Sequence, residues 1–329
     1  MKRHRLIIAS LILLLCMLQP ASAERSVVRI LHVNDFHGFA EPYKPFGSDE
    51  LLGGVASLAA EVERLRAGQP TLLLAAGDMI QGNNWANLSL GASVIELMNA
   101  MRFDAMALGN HEFDFGSEVL KKRIARAVFP VLGANVEGLY SVAPYIIREL
   151  GGVRIAIIGV VTEDVPVSTH PRNVIGLKFN PVADVVRKQV DLLKGEADLI
   201  IVLSHIGHAA DRDLAQSVPG LAVIIGGHSH TKLTGPVLIN GAAIVQAWEH
   251  GKALGLLDLT IEDGRLIKAE GRLLDIRPTG ATDRTAAAIV EKYRLQVDAV
   301  MDETIGEALV DLDGEHVRQQ ETNLGDLIA

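Results

Sequence analysis

The sequence predicts an α/β layered fold, with helices on both faces of a sheet. Three observations carry this. Near-continuous apolar runs recur along the chain, as in strands buried on both faces. Segments with helical apolar spacing separate them. Polar, metal-capable residues cluster where the apolar runs stop, which is where open α/β sheets bind ligands.

The elements follow in order. "VVRILHV" (27–33) reads as a buried strand. In "GGVASLAAEVERLRAG" (53–68), Val55, Leu58, Ala59, Val62 and Leu65 share one helical face, and Gly68 ends the helix. "TLLLAA" (71–76) is a strand, "SVIELMNAM" (93–101) a helix and "DAMAL" (104–108) a strand. "SEVLKKRIARA" (117–127) is a helix with Ser117 as its expected cap. "FPVLGANV" (129–136) and "RIAIIGVV" (154–161) are strands, and "PVADVVRKQVDLLKG" (181–195) is a helix. Strands "ADLIIVLS" (197–204) and "AVIIGG" (222–227) follow. After about residue 240 the alternation gives way to consecutive strands, "AAIVQAW", "ALGLLDLTIED" and "RLIKAEGRLLDI", with "EDG" turning a hairpin. Mixed or antiparallel pairing is expected there. A long helix spans 281–301.

Composition narrows the function. The 329 residues are 49% hydrophobic, ample for a large core, and carry a net charge of −9. An acidic chain with only 4% aromatic residues lacks both the phosphate-neutralising surface and the stacking platforms of a nucleic-acid binder. The N-terminus reads as a cleaved export signal over residues 1–23: basic "MKRHR", apolar "LIIASLILLLCML", then "ASA". The apolar stretch is short for a membrane span, so no stable membrane insertion is expected after cleavage. Cys16 is the only cysteine, and Leu15 before it is not the small residue of a lipid-attachment site. The mature chain then has neither disulfide nor thiolate nucleophile.

Five strand ends carry the candidate chemistry. "ILHVNDFHG" delivers Asp35 and His37, and "LLLAAGD" delivers Asp78. "AMALGNHEFD" delivers Asn110, His111 and Asp114. "IIVLSHIGH" delivers His205, and "AVIIGGHSH" delivers His228 and His230. Each alone has an ordinary structural reading; all five at one sheet edge point to a metal site. Imidazole, carboxylate and amide donors suit zinc, manganese or iron. They are too many for one tetrahedral ion. Two ions sharing a bridging carboxylate fit better, and such pairs hydrolyse phosphate esters. Competing machinery is missing: there is no G-x-x-x-x-G-K-[ST] loop, no G-x-S-x-G elbow and no H-E-x-x-H.

In this order and spacing, "ILHVNDFHG", "GDMIQGNNWANLS", "ALGNHEFDFG", "VLGANV", "LSHIGH" and "IIGGHSHT" resemble the secreted 5′-nucleotidase family of calcineurin-like metallophosphoesterases. The resemblance runs over roughly 27–275. It implies a four-layer sandwich (helix, sheet, sheet, helix) with a dinuclear metal site at the strand C-terminal ends. By that resemblance Asp35, His37 and His230 hold one divalent ion, and Asn110, His205 and His228 the other. Asp78 bridges them, His111 is the catalytic histidine and Asp114 orients it. The implied reaction is in-line attack by a metal-bound hydroxide on a nucleotide or related small phosphoester, outside the cytoplasm, in the periplasm or secreted. Glu112, His32, His208, His250, Asn83, Asn84 and Trp248 take structural readings. Members of the family carry a second, nucleotide-binding domain opening on a segment like "ETNLGDLIA", which here fills 321–329. The expected organisation is therefore a catalytic domain over 24–300 and, over 301–329, a linker with the first residues of that domain. A remnant that folds and binds metal but recognises no substrate is the alternative.

Overall fold

A computed structural model describes residues 25–329 apart from 46, 279 and 318. The export signal expected over 1–23, with Cys16, lies outside the described residues.

Two six-stranded sheets dominate. The first takes β1 (Arg25–Val33), β2 (Thr71–Ala76), β3 (Ala105–Ala107) and β4 (Val131–Leu132). The second takes β5 (Tyr145–Leu150), β6 (Val153–Val161), β7 (Leu199–His205), β8 (Val223–Gly226), β9 (Val237–Ile239) and β10 (Ala242–Gln246). The chain then returns to the first sheet with β11 (Ala253–Glu262) and β12 (Arg265–Asp275). The strand orders are β12-β11-β1-β2-β3-β4 and β9-β10-β8-β7-β6-β5. β1 to β4 run parallel, as do β6, β7, β8 and β10. β11, β12, β5 and β9 pair antiparallel with their neighbours. The pairing after residue 240 is thus mixed. The β11–β12 hairpin closes on Asp263 and Gly264, both at positive φ, the backbone that a two-residue turn needs to match the strand twist.

Every central strand divides its side chains between two cores, because successive residues point to opposite faces. Ile30, Leu72, Leu74, Ile155, Ile157, Ile201, Leu203 and Ile225 pack between the sheets. Leu31, Val33, Leu73 and Ala75 pack outward against α1 (Val55–Arg66), α2 (Ala92–Ala100) and a long helix at 284–301. On the opposite outer face, Ile158, Ile200, Val202 and Ile224 meet α3 (Val182–Leu193) and α4 (His208–Ser217). The layers are helix, sheet, sheet, helix.

Two local readings need correction. Ser117 does not cap its helix. The helix Ser117–Ile124 begins on Ser117 itself, after Gly116 at φ 84, with no side-chain cap. The run 129–136 is not one strand. It breaks after Leu132 because Asn135 is buried and its amide bonds the N–H and C=O of Val161. Val136–Glu137 then pairs with Lys178–Phe179 instead. β5 and α4 carry weak patterns and were not anticipated.

The inter-sheet layer should dominate stability. Ile201→Ala, at a site with no exposure, should cost about 2–5 kcal/mol. Ile267→Ala, 58% exposed, should stay within about 0.5 kcal/mol. Urea unfolding of both variants checks the ranking.

Candidate metal centre

The C-terminal ends of β1, β2 and β3 from one sheet meet those of β7 and β8 from the other. Close approach of the two backbones requires glycine at the rim. A Cβ at Gly227 would lie 2.3 Å from the Ala76 carbonyl, and one at Gly109 would lie 2.2 Å from Asp78 Oδ1. The loops so converged bring together all of the residues expected from the sequence.

Six of them form two donor groups, and a third set of candidate ligand atoms joins His230 to Glu249 and His250. Asp35, His37 and His230 offer ligand atoms within 4.8 Å of one another, and so do Asp78, His205 and His228. His230 Nε2 lies 3.2 Å from Asp35 Oδ1 and 3.3 Å from His37 Nε2. Asp78 Oδ2 stands 3.0 Å from His205 Nε2 and 3.8 Å from His37 Nε2, so this carboxylate reaches both groups.

The imidazoles are oriented from behind. A carbonyl only accepts, so His37 Nδ1 donates to Gln81 (2.9 Å) and His205 Nδ1 to Ala76 (2.7 Å). Each ring thereby directs Nε2 into the centre, the nitrogen that a metal ion would take in its unprotonated form. His230 Nδ1 meets the Glu249 carboxylate. Asn110 Oδ1 is buried and makes no hydrogen bond, and buried His205 Nε2 has the Asp78 carboxylate as its neighbour at 3.0 Å. An orphan such as Asn110 Oδ1 costs about 1–3 kcal/mol, and a divalent ion would satisfy it. The backbone tells the same story. Asp35, His37, Asp78, His228 and His230 all adopt positive φ, a region non-glycine residues enter chiefly where surrounding structure forces them. The donor set therefore fits divalent ions.

His111 stands at the edge of this centre, its ring 5.2 Å from that of His37. Asp114 Oδ2 accepts from its Nδ1 at 2.6 Å, and this bond, outweighing partial burial, raises the His111 pKa. Asp114 is held in turn by Thr169 Oγ1 (2.7 Å) and by Asn173, which donates to its carbonyl (2.8 Å). The His111 N–H donates to Asp78 Oδ1 at 2.9 Å.

The neighbours read as structural keep that reading, with one exception. Buried Glu112 accepts from the N–H groups of Asp78, Met79, Ile80 and Gly109 at 2.6–3.2 Å, stapling the β2 and β3 loops together. His32 is packed, and burial lowers its pKa to about 3. Asn83 caps the short helix Asn84–Asn87. His208 begins α4, outside both donor groups. Trp248 lies under the ammonium groups of Lys252 (3.7 Å) and Lys232 (4.2 Å). The exception is His250. Its ring lies 5.8 Å from His37, stacks on Phe39 at 3.9 Å and meets the Tyr43 hydroxyl at 2.7 Å. The sequence reading missed Glu249, Asn34 and Thr169. Asn34 donates to Asp35 Oδ2 (2.6 Å) and to the Trp248 carbonyl (2.5 Å). Its place directly before Asp35 was the available signal.

Two donor groups joined at one carboxylate, next to a buttressed histidine, give the family comparison a structural meaning. Residues 28–232 match the calcineurin-like phosphoesterase family. The chain belongs to that family. It is 34% identical to the human 5′-nucleotidase over 91% of its own length and 58% of the relative's. It is 35% identical to a snake venom 5′-nucleotidase from Naja atra, covering 91% of this chain and 63% of that one. The crystal structure of a 5′-nucleotidase precursor from Thermus thermophilus superimposes with a TM-score of 0.80 at 36% identity, over 92% of this chain and 65% of that one. The chain thus spans about three fifths of the curated relatives it matches. Family membership implies divalent metal ions.

Glu112→Gln should be costly. An amide cannot accept four N–H bonds at both oxygens, so at least one buried N–H is orphaned, at about 1–3 kcal/mol. Thermal unfolding with and without added manganese should show a lowered Tm in both conditions.

Proposed function

We propose that the chain is a metal-dependent phosphoester hydrolase acting on nucleoside 5′-monophosphates or related nucleotides outside the cytoplasm. The observation that carries this is the pair of donor groups with Asp78 of one reaching His37 of the other, and the His111–Asp114 pair at their edge. Asp35, His37 and His230 would hold one ion, and Asn110, His205 and His228 the other, with Asp78 between. Such ions supply neutralisation of phosphate charge and acidify a water for in-line attack.

The chain's own residues supply the rest. Asp114 fixes His111 with Nδ1 protonated and favours the cationic ring. The Nε2 proton is then available to a phosphate oxygen or to the departing ester oxygen. Thr169 keeps the Asp114 carboxylate from rotating away, and Asn173 holds its backbone. The nucleotide substrate class is supported by the names of the relatives, and export by the leader-like residues 1–23. We assign residues 24–300 to the catalytic domain because the helix Arg284–Met301 packs on it: Trp85 Nε1 donates to the Val290 carbonyl, and Tyr293 to Glu96. Residues 301–329 are assigned to a linker and the start of a second domain.

The test is phosphate release from AMP and from p-nitrophenyl phosphate, with the chain stripped of metal and reloaded with manganese or zinc. Metal-dependent release from AMP is expected; no release by a folded chain carrying two ions would overturn the proposal. His111→Ala should lower kcat about 10²–10⁴-fold with metal content unchanged. Asp114→Asn should lower it less, also with both ions retained.

A further inference from the structure

Glu249 lies on the crossover 247–252, which carries the chain from β10 in the second sheet to β11 in the first. This crossover passes over the rim of the metal centre. Glu249 is partly buried, and both of its oxygens are engaged. Oε2 meets His230 Nδ1, and Oε1 accepts from Lys252 Nζ at 2.5 Å. Lys252 is itself buried, with 3% exposure, and its ammonium rests on the Trp248 ring. The Trp248 carbonyl accepts from Asn34, and Asn34 also donates to Asp35. Asp35 returns to His230 at 3.2 Å. The contacts therefore form a closed circuit around one donor group: Asp35, Asn34, Trp248, Lys252, Glu249, His230. Asp35 also accepts from the backbone N–H of His228, at 3.0 and 3.1 Å.

We propose that Glu249, clamped by Lys252, is the positioning residue that sets the metal affinity of the Asp35–His37–His230 group separately from that of its neighbour. The physical basis has two parts. A carboxylate on Nδ1 fixes the His230 tautomer so that Nε2 is the free donor, and it makes that nitrogen more basic. His37 and His205 have neutral carbonyls on Nδ1, so neither receives this added basicity. Lys252 keeps the carboxylate ionised and in place, because a buried ammonium without its partner would be strongly disfavoured. The two sites should then differ in affinity, and the difference should depend on residues outside both donor groups.

This inference rests on the ligand assignment proposed above, and the experiment separates the two. Zinc and manganese binding to the full chain is titrated against a competing chelator, with no substrate present. The wild-type chain should take two ions; failure to do so overturns the ligand assignment itself. Glu249→Gln should weaken one of the two sites about 10–100-fold and leave the other within twofold. Lys252→Met should weaken the same site by a smaller factor. An unchanged pair of affinities in Glu249→Gln, or equal weakening of both, would overturn the inference. His230→Gln gives a second check, through a double-variant cycle. An amide ligand has no Nδ1 to tune, so adding Glu249→Gln to His230→Gln should change the weakened site by less than twofold. A full additive loss in the double variant would show that Glu249 acts through the fold and not through His230.

Discussion

Asp78 sits where the two sheets meet, and its carboxylate reaches His205 of one donor group and His37 of the other. Much of the surrounding structure serves to bring it there. Glu112 collects the N–H groups that follow Asp78 and the one that precedes Asn110. Gly109 and Gly227 remove the side chains that would hold the loops apart. The apolar layer between the sheets sets their separation, so the strand ends of one sheet arrive opposite those of the other.

The fold and the centre were unequally legible in the sequence. Apolar runs marked the central strands within a few residues, because burial on both faces leaves no polar interruption. Their assignment to two sheets was not in the periodicity at all; it came with the family resemblance. β5 was invisible because it is an edge strand, half exposed, with an irregular pattern. The ligands were legible because strand ends do not otherwise concentrate histidine and aspartate. What supports them was not. Thr169 and Asn173 reach Asp114 from 55 and 59 residues away in the chain. Glu249 reaches His230 across a loop and two strands. An ordinary glutamate in "WEHGK" carries no mark of that contact.

The centre is also where the chain is under most local stress. Five candidate ligand residues at positive φ, the unpaired Asn110 Oδ1 and several buried ionisable groups gather there. Each costs free energy in the folded chain, and bound cations would offset most of it. Metal loading should therefore stabilise the fold as well as complete the centre.

The central claim is that strand ends from both sheets hold two ions through one shared carboxylate. A crystal of the chain soaked with manganese and measured for anomalous scattering tests it most directly. The account predicts two peaks about 3.5–4 Å apart, with Asp78 contacting both and His230 and His205 on opposite sides. A single peak, or two peaks with Asp78 bound to only one, would contradict it.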